Sequence, residues 1–309
     1  MSVDQLQQTA LQQMAGFATA NEPLGPCTTY KVGGPALVFA TPRTVVELGV
    51  VAAAVRDTGL PILVVGRGSN LLVADSGFPG IAVSLSALSE WIEFDGSTVT
   101  SGAAVALPVL ARRCVAAGLV GFEWAVGVPG SVGGAVRMNA GGHGSDIAAS
   151  LVGAHVLDLY TAEQSWVPVE GLDLQFRSSN LRDHHVVLDA RLQLTFGDVD
   201  TAESNLSEIV RWRREHQPGG QNAGSVFVNP IPGELPAAVL VDQLGLRGFR
   251  IGGAFVSDKH ANFIQATDGA TAADVRAVME HVRAAVREAT GIELRSEVRL
   301  VGFAAAEIE

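Results

Sequence analysis

Apolar positions along this chain switch between helical and strand spacing several times, and the switches divide it into elements. The first twenty residues read as an amphipathic helix. Thr44 to Asp57 predicts a second helix, with Thr44 and Glu47 spaced as a capping box and Gly59 closing the end. Pro61 to Val65 and Ile81 to Leu85 are short apolar runs of strand length. Leu188, Ala190, Leu192 and Leu194 alternate with Asp189, Arg191 and Gln193, the period of a strand with one wet face. A helix from about Ala202 to Arg214 follows, with Leu206, Ile209, Val210 and Arg213 on one side, and Gln217-Pro218-Gly219-Gly220 breaks it. Thr271 to Glu288 predicts a further helix, capped by Thr271 and Asp274 and striped by Val275, Val278, Met279, Val282 and Val286. Val298, Leu300 and Val301 suggest a closing strand within Glu293 to Phe303. This mixed order predicts an α+β fold rather than a regular parallel sheet.

A length of 309 residues points to about two domains, and the helix at 202–214 is the natural boundary. With 48% apolar and 17% charged residues, global disorder is excluded. A net charge of −11 argues against nucleic acid or an anionic membrane as the main partner. Cys27 and Cys114 are the only cysteines, so there is neither a disulfide framework nor a four-ligand zinc pattern, and Cys114, in an apolar helical run, reads as core. The first residues show no basic leader and no apolar secretory core, and no apolar run reaches membrane-spanning length. The expectation is a soluble, cytoplasmic protein.

Glycine changes the picture, because there are 35 of them and they cluster. Val64-Val65-Gly66-Arg67-Gly68-Ser69-Asn70-Leu71 follows a strand with two glycines and two small polar residues. Such a turn lets backbone N–H groups converge on an anion, although a plain β-turn remains an alternative. A dinucleotide fingerprint of the G-x-G-x-x-G kind is disfavoured, since Leu71 stands at the third glycine and no long helix follows. The second segment holds seven glycines between Gly127 and Gly144, including Gly130, Gly133, Gly134, Gly141 and Gly142 around Pro129, Ser131 and Asn139. Main chain this bare can lie flat against a large planar or pyrophosphate-bearing ligand. Asp183-His184-His185 has the look of a metal phosphoesterase signature, but the upstream ligands that site needs are missing, so a strand-edge histidine pair is the better account and no metal is expected.

Six segments in order then carry a resemblance: TTYKVGGPA from Thr28, VVGRGSNLLV from Val64, GVPGSVGGAVRMNAGGHG from Gly127, NAGSVFVNP from Asn222, VSDKHANF from Val256 and LRSEVRLVG from Leu294. Together the chain resembles the UDP-N-acetylenolpyruvoylglucosamine reductases, flavoenzymes of peptidoglycan synthesis. The resemblance implies an FAD-binding domain of the vanillyl-alcohol-oxidase type over 1–200, in two parts near 1–85 and 86–200. It also implies a smaller α/β substrate domain over 201–297 and a tail, 298–309, returning to the first domain. The direct run from Arg182 to Ser225 leaves no room for the tyrosine-bearing insertion of some members, so the chain is similar to the shorter, second type. Phe176 stands where tyrosine is common, and Gly142-His143 replaces a frequent Ala-Tyr pair.

The reaction implied is reduction of UDP-N-acetylglucosamine enolpyruvate to UDP-N-acetylmuramate, with non-covalent FAD and NADPH as hydride donor. Three residues match the family's catalytic groups. Arg177 holds the substrate carboxylate, Ser225 donates the proton and Glu297, taken as protonated, stabilises the anionic intermediate. Tyr30, Gly66, Arg67, Gly68, Ser69, Asn70, Leu71, Gly127, Pro129, Gly130, Ser131, Gly133, Gly134, Asn139, Gly141 and Gly144 fall at cofactor positions. Lys259, His260 and Asn262 match contacts to the nucleotide diphosphate or sugar, with Asn229 and Gln243 beside them. A different flavoenzyme of the same superfamily, or a nucleotide-binding module without turnover, are the competing readings.

Overall fold

The structure is a computed structural model that describes residues 1–231 and 233–304. Its contacts divide the chain into two units. The first comprises Met1–Glu22, Ala36–Arg67 and Pro79–Arg213; the second comprises Pro23–Pro35, Gly68–Phe78 and the chain from Arg214 on. The division at Arg213 falls inside the helix that the sequence marks as a boundary, but Pro23–Pro35 and Gly68–Phe78 sort with the later chain, so contiguous ranges such as 1–200 and 201–297 do not follow the contacts. Of the expected tail, residues 305–309 lie outside the described residues.

Seven helices are described: α1 Val3–Gln13, α2 Val45–Thr58, α3 Leu107–Ala116, α4 Val132–Met138, α5 Val199–His216, α6 Ala237–Gln243 and α7 Ala272–Thr290. The N-terminal helix stops well short of residue 20. Met14 is fully buried, Gly16 takes φ +94°, and Ala18–Pro23 becomes an edge strand. Thr44 caps α2 as predicted by accepting from Glu47 N, and Gly59 ends it at φ +64°. The Glu47 carboxylate, however, accepts from Arg43 N at 2.6 Å, one residue before the position a capping box would use.

In the first unit, Ile62–Val65 runs parallel to Ile81–Ser84 within a four-stranded sheet. A second, five-stranded sheet is antiparallel throughout, with Leu151–Asp158 and His185–Gln193 at its centre. The latter strand buries Leu188, Ala190 and Leu192 and turns Arg191 and Gln193 outward, which is the alternation its sequence predicts. Cys114 is buried in α3.

In the second unit, α7 is the largest element. Thr271 and Asp274 form a complete capping box, and the Asp75 carboxylate adds hydrogen bonds from Ala272 N and Ala273 N, both at 2.9 Å. Its predicted stripe is fully buried against Leu72, Val226, Val256 and Ile264, each of these side chains contributing roughly 1.5–3 kcal/mol by leaving water. The predicted closing strand is reduced to Arg299–Val301, which pairs in parallel with Leu71–Val73. The chain as a whole combines helices with largely antiparallel pairing, the α+β mixture expected from the order of its elements.

Candidate active site

In the first unit the two glycine-rich segments meet. A Cβ on Gly66 would lie 2.7 Å from Ser131 Oγ, and Ser131 caps α4 by accepting from Gly134 N at 3.3 Å. Gly133 packs on Ala103, leaving 2.9 Å for a Cβ, while Gly130 O accepts from Leu107 N. Gly141–Gly142 and Ser145–Asp146 form a short hairpin whose two tip residues, His143 and Gly144, both have positive φ, the geometry of a type I′ turn. The segment rests on α5: a Cβ on Gly127 would meet the His143 ring at 2.9 Å and Ile209 at 3.1 Å, the His143 ring lies edge-on to Trp212, and the Arg213 guanidinium donates to Gly127 O. Burial, then the Arg213 charge, lowers the His143 pKa. Arg213 and Trp212 are supports that no spacing in the sequence announces. Arg67, like Pro129, is exposed.

Arg177 sits at the tip of a two-residue turn closed by reciprocal hydrogen bonds between Gln175 and Ser178, at 3.0 and 3.1 Å. Its φ is +56°, a conformation costing a non-glycine residue on the order of 1 kcal/mol and typical of functional sites. The guanidinium carbon lies 5.2 Å from the centre of the exposed Phe176 ring. Two side-chain contacts anchor this turn to the end of α4. Asn139, itself at φ +40°, donates to Gln175 O at 3.1 Å and to Asp146 Oδ2 at 3.3 Å, and Ser179 Oγ donates to Arg137 O at 2.7 Å.

Ser225 and Glu297 belong to the second unit. Residues 225–228 lie between two other segments: Ser225 bridges Phe263, Val226 N donates to Asn262 O, and Phe227 bridges Ser296. Glu297 N donates to Val226 O at 2.8 Å, so the serine and the acid stand on adjoining pieces of chain. Asn262 is 4% exposed, and its amide is engaged at both ends with the Phe227 main chain, at 2.9 and 2.8 Å. The same amide was expected at the sugar or diphosphate; here it braces the chain beside Ser225. His260 Nδ1 accepts from Asn262 N, and burial followed by the Arg247 charge lowers its pKa. Lys259 Nζ donates to Arg214 O. Asn229 Oδ1 accepts from Ala237 N and so caps α6, whose last residue is the exposed Gln243.

The first glycine turn continues into this unit. Gly68 has φ +60°, and a Cβ there would lie 2.1 Å from Cys27 O. Ser69 and Leu71 are half-buried. Tyr30 is fully buried, which pushes its hydroxyl pKa up; the hydroxyl lies beside the Ala223 main chain without a well-formed hydrogen bond.

Asp158, His184 and His185 form a cluster with ligand atoms within 4.8 Å of one another. Arg182 N donates to His185 Nδ1 at 2.9 Å, so the imidazole proton belongs on Nε2, facing Asp158 Oδ2 at 3.8 Å. A metal at Nε2 would require that proton on Nδ1, so this arrangement suits a histidine–carboxylate contact at the strand edge. Asp183 faces elsewhere and pairs with Arg137 at 3.1 Å. Among the described residues, no helix is long and apolar enough to cross a membrane.

A family model for the C-terminal domain of UDP-N-acetylenolpyruvoylglucosamine reductase matches residues 216–301, and one for an FAD binding domain matches residues 36–164. The UDP-N-acetylenolpyruvoylglucosamine reductase of Heliobacterium modesticaldum is 43% identical over 290 residues, covering 93% of this chain and 92% of that one. The Bacillus subtilis protein of the same name is 39% identical over 294 residues, covering 94% and 96%. The crystal structure of the Thermus caldophilus reductase aligns with a TM-score of 0.77 at 33% identity, covering 92% of this chain and 98% of that one. With its glycine-lined first unit and its Ser225–Glu297 framework, the chain belongs to the UDP-N-acetylenolpyruvoylglucosamine reductase family, flavin-dependent oxidoreductases with an FAD-binding domain followed by a smaller domain.

Proposed function

We propose that Arg177, Ser225 and Glu297 carry out the family's reaction in this chain: the reduction of UDP-N-acetylglucosamine enolpyruvate to UDP-N-acetylmuramate, with electrons from NADPH. The first unit fits FAD. A Cβ on Gly144 would meet nothing within 4 Å, and one on Gly134 or Gly142 would make only ordinary contacts at 3.4 and 3.7 Å, so side chains leave this main chain uncovered, which suits a ligand lying on it. Gly66, Gly127, Gly130, Ser131 and Gly141 would line that surface. Bound there, FAD supplies two-electron hydride chemistry.

The residues manage charge and protons around it. Reduction of the terminal enol carbon leaves negative charge on the neighbouring carbon and its carboxylate. Arg177 offers two parallel N–H donors to that carboxylate, and the bonds of Asn139 and Ser179 fix the main chain of the turn from which its side chain departs. Glu297, carrying its proton, adds a donor without adding charge. The Ser225 hydroxyl gives its proton to the carbanionic carbon and regains one from solvent. Lys259 and His260 are the candidates for the diphosphate or sugar, with Asn262 behind them.

The observation that supports this reading best is the hydrogen bond from Glu297 N to Val226 O, which joins the acid to the residue next to Ser225. The test is a split of half-reactions. Ser225→Ala is expected to leave reduction of the bound flavin by NADPH within about twofold, while slowing reoxidation by the enolpyruvyl substrate about 10²–10⁴-fold. Equal losses in both halves would remove Ser225 from the proton-donor role.

A further inference from the structure

We propose that Asn70 is a positioning residue for Glu297, and that its side chain serves the acid while its turn serves the cofactor. This rests on the reading of Glu297 as the stabilising acid. Asn70 Nδ2 donates to the main-chain oxygen of Glu297 at 2.9 Å, across 227 positions of sequence. Asn70 O in turn accepts from Arg299 N at 3.0 Å, and the next three residues of each segment pair as parallel strands, Leu71–Val73 with Arg299–Val301. On its other side, Glu297 donates its N–H to Val226 O at 2.8 Å.

The peptide units before and after the Glu297 Cα are therefore both tied down, the first to the Ser225 segment and the second to Asn70. Fixing both peptide planes fixes φ and ψ, and with them the direction of the Cα–Cβ bond from which the acid's side chain departs. An acid that must meet one carbon of a bound substrate gains from that restriction, since an error of about 1 Å at a reacting group can cost about 10²-fold in rate. The chemistry also selects asparagine. A neutral carboxamide reaches the carbonyl with an N–H, whereas an aspartate of the same shape has no donor and would set an acceptor against an acceptor. Serine is shorter by the atoms that make the reach.

The test compares Asn70→Asp and Asn70→Ser with Glu297→Gln, and Asn70→Asp combined with Glu297→Gln, in the full FAD-loaded chain. With FAD saturating, the Asn70 variants are expected to slow flavin reoxidation by substrate about 10–100-fold, a larger factor than any change they cause in flavin reduction by NADPH. In the apo chain, amide exchange in the peptide covering 294–301 should accelerate. The double variant should lose little beyond Glu297→Gln alone, because the two act through one group. Additive losses would overturn the proposal. So would an FAD dissociation constant raised more than about tenfold with reoxidation of the saturated enzyme intact. Should Glu297→Gln and Glu297→Ala both reoxidise at the wild-type rate, the acid itself is misassigned and the positioning role falls with it; faster exchange in the Asn70 variants would then mark that failure as one of the functional reading and not of the clamp.

Discussion

Asn262 offers the sharpest check on the framework around Ser225. Asn262→Ala deletes two hydrogen bonds at once, the one accepted from Phe227 N at 2.9 Å and the one donated to Phe227 O at 2.8 Å. Phe227 is only 2% exposed, so water cannot readily replace either partner. A buried donor or acceptor left unpaired costs about 1–3 kcal/mol, which puts the loss at roughly 2–6 kcal/mol before any term for the vacated space. Set against a typical total of about 5–15 kcal/mol, that is enough to move a denaturant midpoint far outside error. Asn262→Asp should do worse than its shape suggests, because the carboxylate keeps the acceptor but faces Phe227 O with charge. Urea unfolding of the apo chain followed by tryptophan fluorescence measures the loss, and amide exchange at Val226 and Phe227 localises it. A change below about 0.5 kcal/mol for Asn262→Ala, with exchange at those amides unaltered, would refute the reasoning.

Two further outcomes can be checked with the same material. Gly68→Ala puts a methyl group 2.1 Å from Cys27 O in a backbone of φ +60°, so the turn must move. We expect about 2–4 kcal/mol of destabilisation and loss of FAD on purification, whereas Gly219→Ala, with nothing within 4 Å, should change neither; full flavin content in Gly68→Ala would contradict this. Burial and the Arg247 charge hold the His260 pKa below its usual 6.5, so as pH falls the unfolded chain binds the proton first. Stability should be level above about pH 6.5, decline between that value and the folded pKa, and level off again below it. His260→Gln should flatten that decline, and a slope unchanged by the substitution would assign it to other groups.

How much of this was legible in the sequence depended on how local the determining interactions are. Thr271, Asp274 and the valine stripe specify α7 within one stretch of chain, and the strand at His185–Gln193 announces itself by its own alternation. The closing strand is legible only in outline, because Arg299–Val301 pairs with a partner more than two hundred residues earlier and three residues carry no period. The N-terminal helix was overextended because Gly16 ends it without an apolar break. At the site, motif identity pointed to Asn70, Asn139 and Asn262 but not to what their amides do. All three bind main chain, and a neutral hydrogen bond to a distant carbonyl leaves no trace in spacing. Arg213 was read as one more position on the face of a helix; its bond to Gly127 O depends on the glycine segment folding against that helix.

The pairing of Leu71–Val73 with Arg299–Val301 also bears on how the protein is made. Tyr30, Val32 and Leu72 leave the ribosome well before the apolar residues that cover them, which lie between Ala223 and Val298. Until the ribosome has passed Val298 these side chains lack most of their native partners, and closing so large a gap is slow as well as entropically costly. The nascent polypeptide therefore carries a greasy, unfinished surface while the stretch from Leu72 to Val298 is being made, a stage at which a chaperone would have something to hold.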